Sequence, residues 1–196
     1  MAPGMSLQSV IAIIILNTDG SRIYAKYYNN PHHAPNAPSN ASSSPYADVK
    51  AQKTFEKGLL EKTVKQTGDI ILYDSKICLY KMESDVMMYV VGGVDENEVL
   101  LYNVILALRD TLTLLFKQSV DKRSIIENYD LVSLAIDEIV DDGIILETDP
   151  TIIVQRVSKA PTQDVNLSRV DFSEQGVNNL AQLGRAKLTD WLRQGL

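Results

Sequence analysis

The chain has 196 residues, 45% hydrophobic and 22% charged, enough for one compact globular domain with a real core and a remainder. Its net charge of -6 argues against a general nucleic-acid binder, which needs a basic footprint to displace counterions. A single cysteine, Cys78, excludes an internal disulfide framework and fits a reducing compartment.

Residues 7–16 are nearly continuous in apolar side chains and rich in isoleucine, the pattern of a central strand buried on both faces. No Lys or Arg precedes Val10–Leu16, and a turn follows it in place of a small-residue cleavage site. The run is also too short to span a bilayer, so it is expected to be neither a leader nor an anchor. Asn17-Thr18-Asp19-Gly20 carries the Asp-Gly hairpin signal. The return strand, Ser21 to Tyr28, alternates: Ile23, Ala25 and Tyr27 point one way, and Arg22, Tyr24, Lys26 and Tyr28 the other. That spacing predicts a half-exposed edge strand.

Residues 29–45 hold Pro31, Pro35, Pro38 and Pro45 among Asn, Ser and Ala, with no apolar periodicity. Such a segment buries too little surface to offset its ordering entropy, and a disordered insertion loop is expected. His32 and His33 fall inside it; adjacent histidines with no Cys partner make a poor metal site.

Tyr46 to Gln66 reads as a helix ended by Gly68. Asp48, Lys50, Lys53, Glu56, Lys57, Glu61, Lys62 and Lys65 supply a solvated face, while Val49, Phe55, Leu59, Leu60 and Val64 point inward. Three short strands follow, Asp69–Tyr73, Ile77–Met82 and Val86–Val91, separated by Asp74-Ser75 and Glu83-Ser84-Asp85. Cys78 sits in the second, as a small buried hydrophobe. Gly92-Gly93 ends the third. Asp95 with Glu98 then offers an acidic capping box for a long helix from Val99 to Phe116. Its apolar residues lie on more than one face, so it should be covered on most sides.

A second helix, Ser124 to Val140, is predicted to bend near Asn128 and to end at Gly143 as a C-cap. The acidic cluster Asp137, Glu138, Asp141 and Asp142 opposes the helix dipole there, and is either simply solvated or facing a basic partner. One short apolar element, Thr151–Val157, closes a domain spanning residues 1–157. Residues 158–170 read as a linker. Residues 171–196 read as an amphipathic helix, capped by Asp171 or Ser173 and weakened by Gly176 and Gly184. Its stripe of Val177, Leu180, Leu188, Trp191 and Leu192 is the candidate partner-binding surface. Arg185, Lys187 and Arg193 mix with Glu174 and Asp190 on the other face, unlike the basic face of a membrane binder.

No catalytic constellation is visible, and no enzyme, cofactor or metal is expected. A glycine-rich phosphate loop ending in Lys-Ser/Thr is missing, and both histidines fall in the insertion loop, away from any nucleophile. The carboxylate pairs fit capping and helix-end roles.

Local sequences carry a resemblance. Ile23-Tyr24-Ala25-Lys26-Tyr27-Tyr28, Phe55-Glu56-Lys57, Gly93-Val94-Asp95-Glu96-Asn97-Glu98 and above all Val132 to Pro150 resemble the small chains of vesicle-coat adaptors. That family holds the coatomer zeta chains and the clathrin-adaptor sigma chains. The resemblance covers residues 7–157 and, more weakly, the terminal helix; the 29–45 insertion departs from the family's short connection. It implies a longin-like α/β (α+β) fold, a five-stranded antiparallel sheet flanked by helices, plus the C-terminal amphipathic helix. It also implies a non-enzymatic coat subunit paired with the large gamma subunit and other coatomer subunits, without nucleic acid. The expected place is the cytoplasm, peripheral on Golgi membrane and coated vesicles, with only indirect association to an Arf-family GTPase. The dileucine groove of sigma chains would fall near Tyr89–Val91 and Val99–Tyr102, but its residues do not match one by one, and that role is not carried over. The competing class is a freestanding longin module acting on small GTPases or fusion proteins; the tail lacks the long heptad coiled coil and anchor that fusion longins carry.

Overall fold

The computed structural model defines residues 8–28, 46, 48–117 and 119–158. Five strands form one antiparallel sheet: β1 (Val10–Asn17), β2 (Arg22–Tyr27), β3 (Ile70–Tyr73), β4 (Lys76–Glu83) and β5 (Val86–Gly93). Their order is β2-β1-β5-β4-β3, which makes β1 interior and β2 an edge, as the two hydrophobic patterns require. Ile13 and Ile15 enter one core and Ala12, Ile14 and Leu16 the other, all within 1% of full burial.

The two cores lie on opposite faces of the sheet. Against the Ala12 face packs α1 (Val49–Thr63), through Phe55, Leu59 and Leu60. The Ile13 face is covered by α2 (Glu98–Phe116), α3 (Lys122–Glu127), α4 (Tyr129–Ile139) and α5 (Pro150–Val157). Gly92 lets α2 approach: a Cβ there would stand 2.4 Å from Leu101 Cδ1 and 3.0 Å from the Ser9 carbonyl oxygen. A two-residue ribbon, β6 (Val140–Asp141) with β7 (Ile144–Ile145), follows α4, and Gln8 bridges to Ile144.

Several local expectations need correction. The alternation in β2 holds from Tyr24 onward but breaks at Ile23, because Leu16 pairs with Arg22 while Ile15 pairs with Tyr24. Ile23 is the extra residue of a bulge. It joins the Tyr24 core, and Arg22 turns toward α1. Glu56, read as solvated, is buried, whereas Val49 and Val64, read as inward, are 54% and 41% exposed at the helix ends. Gly68 lies beyond the C-cap, Val64.

Asp95 is not the cap of α2. The turn closed by Glu96 N–H to the Gly93 carbonyl takes up that residue, and Asn97 Oδ1 accepts from Val99 and Leu100 N–H instead. Nor is α2 covered on most sides among the described residues: Val99 and Leu114 are 68% and 47% exposed, since the sheet, α4 and α5 meet a single helix face. The bend expected at Asn128 is a break between α3 and α4. Gly143 is not a C-cap; with Asp142 it makes the left-handed turn of the β6–β7 ribbon, at φ 80° and 48°. The expected insertion loop with His32 and His33, the linker from 159 and the terminal helix lie outside the described residues.

Candidate partner surface

The strand β3 is four residues long and pairs only with β4, so its outer backbone edge is open among the described strands. A two-residue hairpin sets it, with Asp74 and Ser75 both at positive φ, 51° and 53°. Alternation then divides its side chains. Ile71 and Tyr73 pack into the α1 core, where Lys62 Nζ sits 4.9 Å from the Tyr73 ring centre. Ile70 and Leu72 emerge on the α2 side, 48% and 68% exposed.

There they meet the entry to α2. Ile70, Leu72, Val94 and Glu98 line a cleft of about 390 Å³, and Ile70, Leu79, Val99 and Tyr102 line a second of about 220 Å³. A polar cluster closes the inner end. The Lys81 ammonium donates to Asp69 Oδ2 at 2.5 Å and to the Tyr102 hydroxyl at 3.1 Å, and Tyr102 donates to Asp69 at 3.3 Å. Burial works against the Lys81 charge, but these hydrogen bonds outweigh it and hold the ammonium above its ordinary pKa. The result is an apolar step with a fixed ion pair at its back. Such a surface can seat an apolar partner segment.

Other candidate groups are occupied by the fold. Burial pushes the Cys78 thiol up to about 12, which keeps it protonated and unreactive near neutral pH. Asp137 pairs with Lys26 at 2.7 Å, and Glu138 with Arg156 at 3.1 Å, so part of the acidic cluster faces bases of its own chain. Among the described residues no three His, Cys, Asp or Glu side chains gather as a metal site.

The sequence-derived stripe of Val177, Leu180, Leu188, Trp191 and Leu192 lies outside the described residues. Of the two stretches where the sigma-type groove would fall, Tyr89–Val91 is fully buried in β5, while Val99 and Tyr102 stand at the second cleft. The Ile70–Leu72 edge was not singled out from the sequence. Its signal was present: a strand of only four residues whose apolar side chains fall on both faces.

Among the described residues, an antiparallel sheet with one unpaired edge, one helix on one face and a helical layer on the other is the layout of a small adaptor-type fold. The family model of the clathrin adaptor complex small chain matches residues 9–164. Coatomer subunit zeta of Saccharomyces cerevisiae is 41% identical over 192 residues, covering 98% of each chain. Coatomer subunit zeta-1 of Homo sapiens is 37% identical over 183 residues, covering 93% of this chain and 92% of its own. Among solved structures, a chain titled as part of a homology model of the full-length AP-3 complex in a stretched open conformation matches with a TM-score of 0.54. It is 17% identical, over 91% of this chain and 98% of that one, a likeness of fold alone. The chain belongs to the clathrin adaptor small-chain family, on its coatomer zeta branch.

Proposed function

We propose that this chain is a structural, non-enzymatic subunit of the coatomer vesicle coat, pairing with the large gamma subunit. Its place is cytoplasmic, peripheral on Golgi membrane and coated vesicles, in retrograde Golgi-to-endoplasmic-reticulum and intra-Golgi transport. The observation that carries this is similarity to coatomer subunit zeta along 98% of both chains. The exposed Ile70, Leu72, Val94 and Val99 support it, because the interfaces of permanent complexes are larger and more apolar than those of transient ones. Residues 158–170 act as a linker and 171–196 as a second docking element, through Val177, Leu180, Leu188, Trp191 and Leu192. Association with an Arf-family GTPase runs through the large subunits.

Co-expression with the gamma trunk domain, followed by size-exclusion chromatography with light scattering, tests the pairing. A stable one-to-one complex is expected, weakened by Trp191→Ala. A monodisperse chain that ignores the trunk refutes the reading.

A further inference from the structure

Lys50, Lys53 and Lys57 follow one another on α1 at intervals of three and four residues, which places them on one outer helix face. All three are exposed, and among the described residues none enters an ion pair. Lys62 and Lys65 continue the exposed basic residues toward the end of the helix and just beyond it. Neutralising groups are few. Glu56 is turned inward and held by Arg22, leaving Asp48 and Glu61 as the exposed carboxylates of this segment. The sequence from Asn29 to Ala47 contains no Asp or Glu.

The helical layer on the other side of the sheet has the reverse sign. Residues 95–156 carry thirteen Asp and Glu against five Lys and Arg. Among the described residues, the α1 side of the sheet thus carries an excess of exposed lysines, with Glu61 among them, and the opposite helical layer an excess of carboxylates. Such a charge distribution orients the molecule near a charged surface, drawing α1 in and driving the α2–α5 layer away.

We propose that the outer face of α1 bearing Lys50, Lys53 and Lys57, with Lys65 just beyond the helix, docks on an anionic membrane surface. Its shape favours a membrane over an acidic peptide. The depression between the lysines is lined by Val49, Lys50, Lys53, Thr54 and Lys57, all from one helix, so among the described residues no second wall holds an extended chain. The side-chain chemistry agrees. Among the described residues every cation on this outer helix face is lysine, a hydrated point charge suited to a diffuse layer of headgroups, and not arginine, whose planar fork reads a particular carboxylate. With Val49 the exposed apolar residue in the depression, contact is electrostatic and superficial, without insertion.

This goes beyond the coat reading and does not rest on it, since pairing with gamma is read by chromatography and this face by vesicle binding. The test is co-sedimentation of the full chain with phosphatidylcholine vesicles, with or without about one-third phosphatidylserine. The triple variant K50Q/K53Q/K57Q is compared with K117Q/K122Q/R123Q, which removes three charges from the opposite layer. Binding only to the anionic vesicles, weakened about tenfold or more by the α1 substitutions and unchanged by the others, is expected. Absence of binding to anionic vesicles overturns the proposal, as does an equal loss in both variants, which reduces the effect to net charge. Tighter binding to soluble polyglutamate than to the vesicles overturns it too, by reassigning the face to an acidic protein segment.

Discussion

Arg22 on β2 and Glu56 on α1 form a two-pronged ion pair, Nη2 to Oε1 at 2.6 Å and Nε to Oε2 at 2.9 Å. Glu56 keeps 5% of its side-chain surface, and the Tyr27 hydroxyl donates to the same Oε1 at 2.9 Å. Arg22→Ala strands that buried carboxylate and should cost about 3 kcal/mol in urea denaturation. Replacing the pair together, Arg22→Met with Glu56→Leu, should cost less than the single change, because no charge is left unpaired. A double variant weaker than Arg22→Ala would show that the pair adds net stability.

Asn97, and not Asp95, closes the start of α2, with Oδ1 to Val99 N at 2.9 Å. Asn97→Ala should therefore lower stability by about 1 kcal/mol. Asp95→Ala should leave it within about 0.5 kcal/mol. Thermal melts of both variants decide the matter; a reversed order would restore the acidic capping box.

Gly143 serves a turn and a close approach at once. Its φ is 80°, its carbonyl accepts from Val10 N–H at 3.0 Å, and a Cβ on it would stand 2.6 Å from the Val10 carbonyl oxygen. Gly143→Ala should destabilise by about 2 kcal/mol or more and loosen the β6–β7 ribbon from β1. Asp142→Gly, at φ 48°, should be neutral or slightly stabilising. Hydrogen exchange at Val10 N–H reports the loosening directly.

Folding raises the Cys78 thiol from its ordinary 9.0 to about 12 by burial, so the folded state holds that proton more tightly than the unfolded chain. The associated stability is complete below about pH 9 and is lost as pH climbs toward 12. Buried Tyr28 and Tyr89, also raised by burial, act with the same sign. Cys78→Ala should flatten part of the alkaline decline in stability. At pH 8 a maleimide should label the native thiol slowly and the urea-unfolded thiol at once.

Leu72, at 68% exposed, contributes little to its own fold. Leu72→Lys should change stability by about 0.5 kcal/mol or less. It should weaken pairing with the gamma trunk about tenfold, if the β3 edge is buried there. Titration calorimetry alongside denaturation separates the two effects; unchanged affinity would move the interface elsewhere.

Much of this architecture was legible in residue order. The isoleucine run at Val10–Leu16 demanded two covered faces, and the sheet supplies them with β1 interior and a core on each side. Asp19-Gly20 and Asp74-Ser75 marked hairpins that form, and Asn128 was marked as a bend where the helix in fact breaks in two. Family membership was legible too, because Val132–Pro150 and the segments quoted with it resemble the adaptor small chains locally. These features depend on period, turn chemistry and short-range pattern, which the linear sequence contains.

Other features were decided by contacts between distant segments. Glu56 belongs to the charged face of α1 by helical period, yet a bulge at Ile23 turns Arg22 toward it from 34 residues away. Gly143 looks like a helix C-cap until Val10 pairs with its carbonyl across the fold. The apolar step at Ile70, Leu72 and Val99 exists only because the edge strand β3 lies beside the entry to α2. The sequence determined which segments become strands and helices, and the family they serve. Tertiary structure decided which charges are buried, which turn needs glycine and where an apolar edge stays open, because each depends on what the sheet brings alongside.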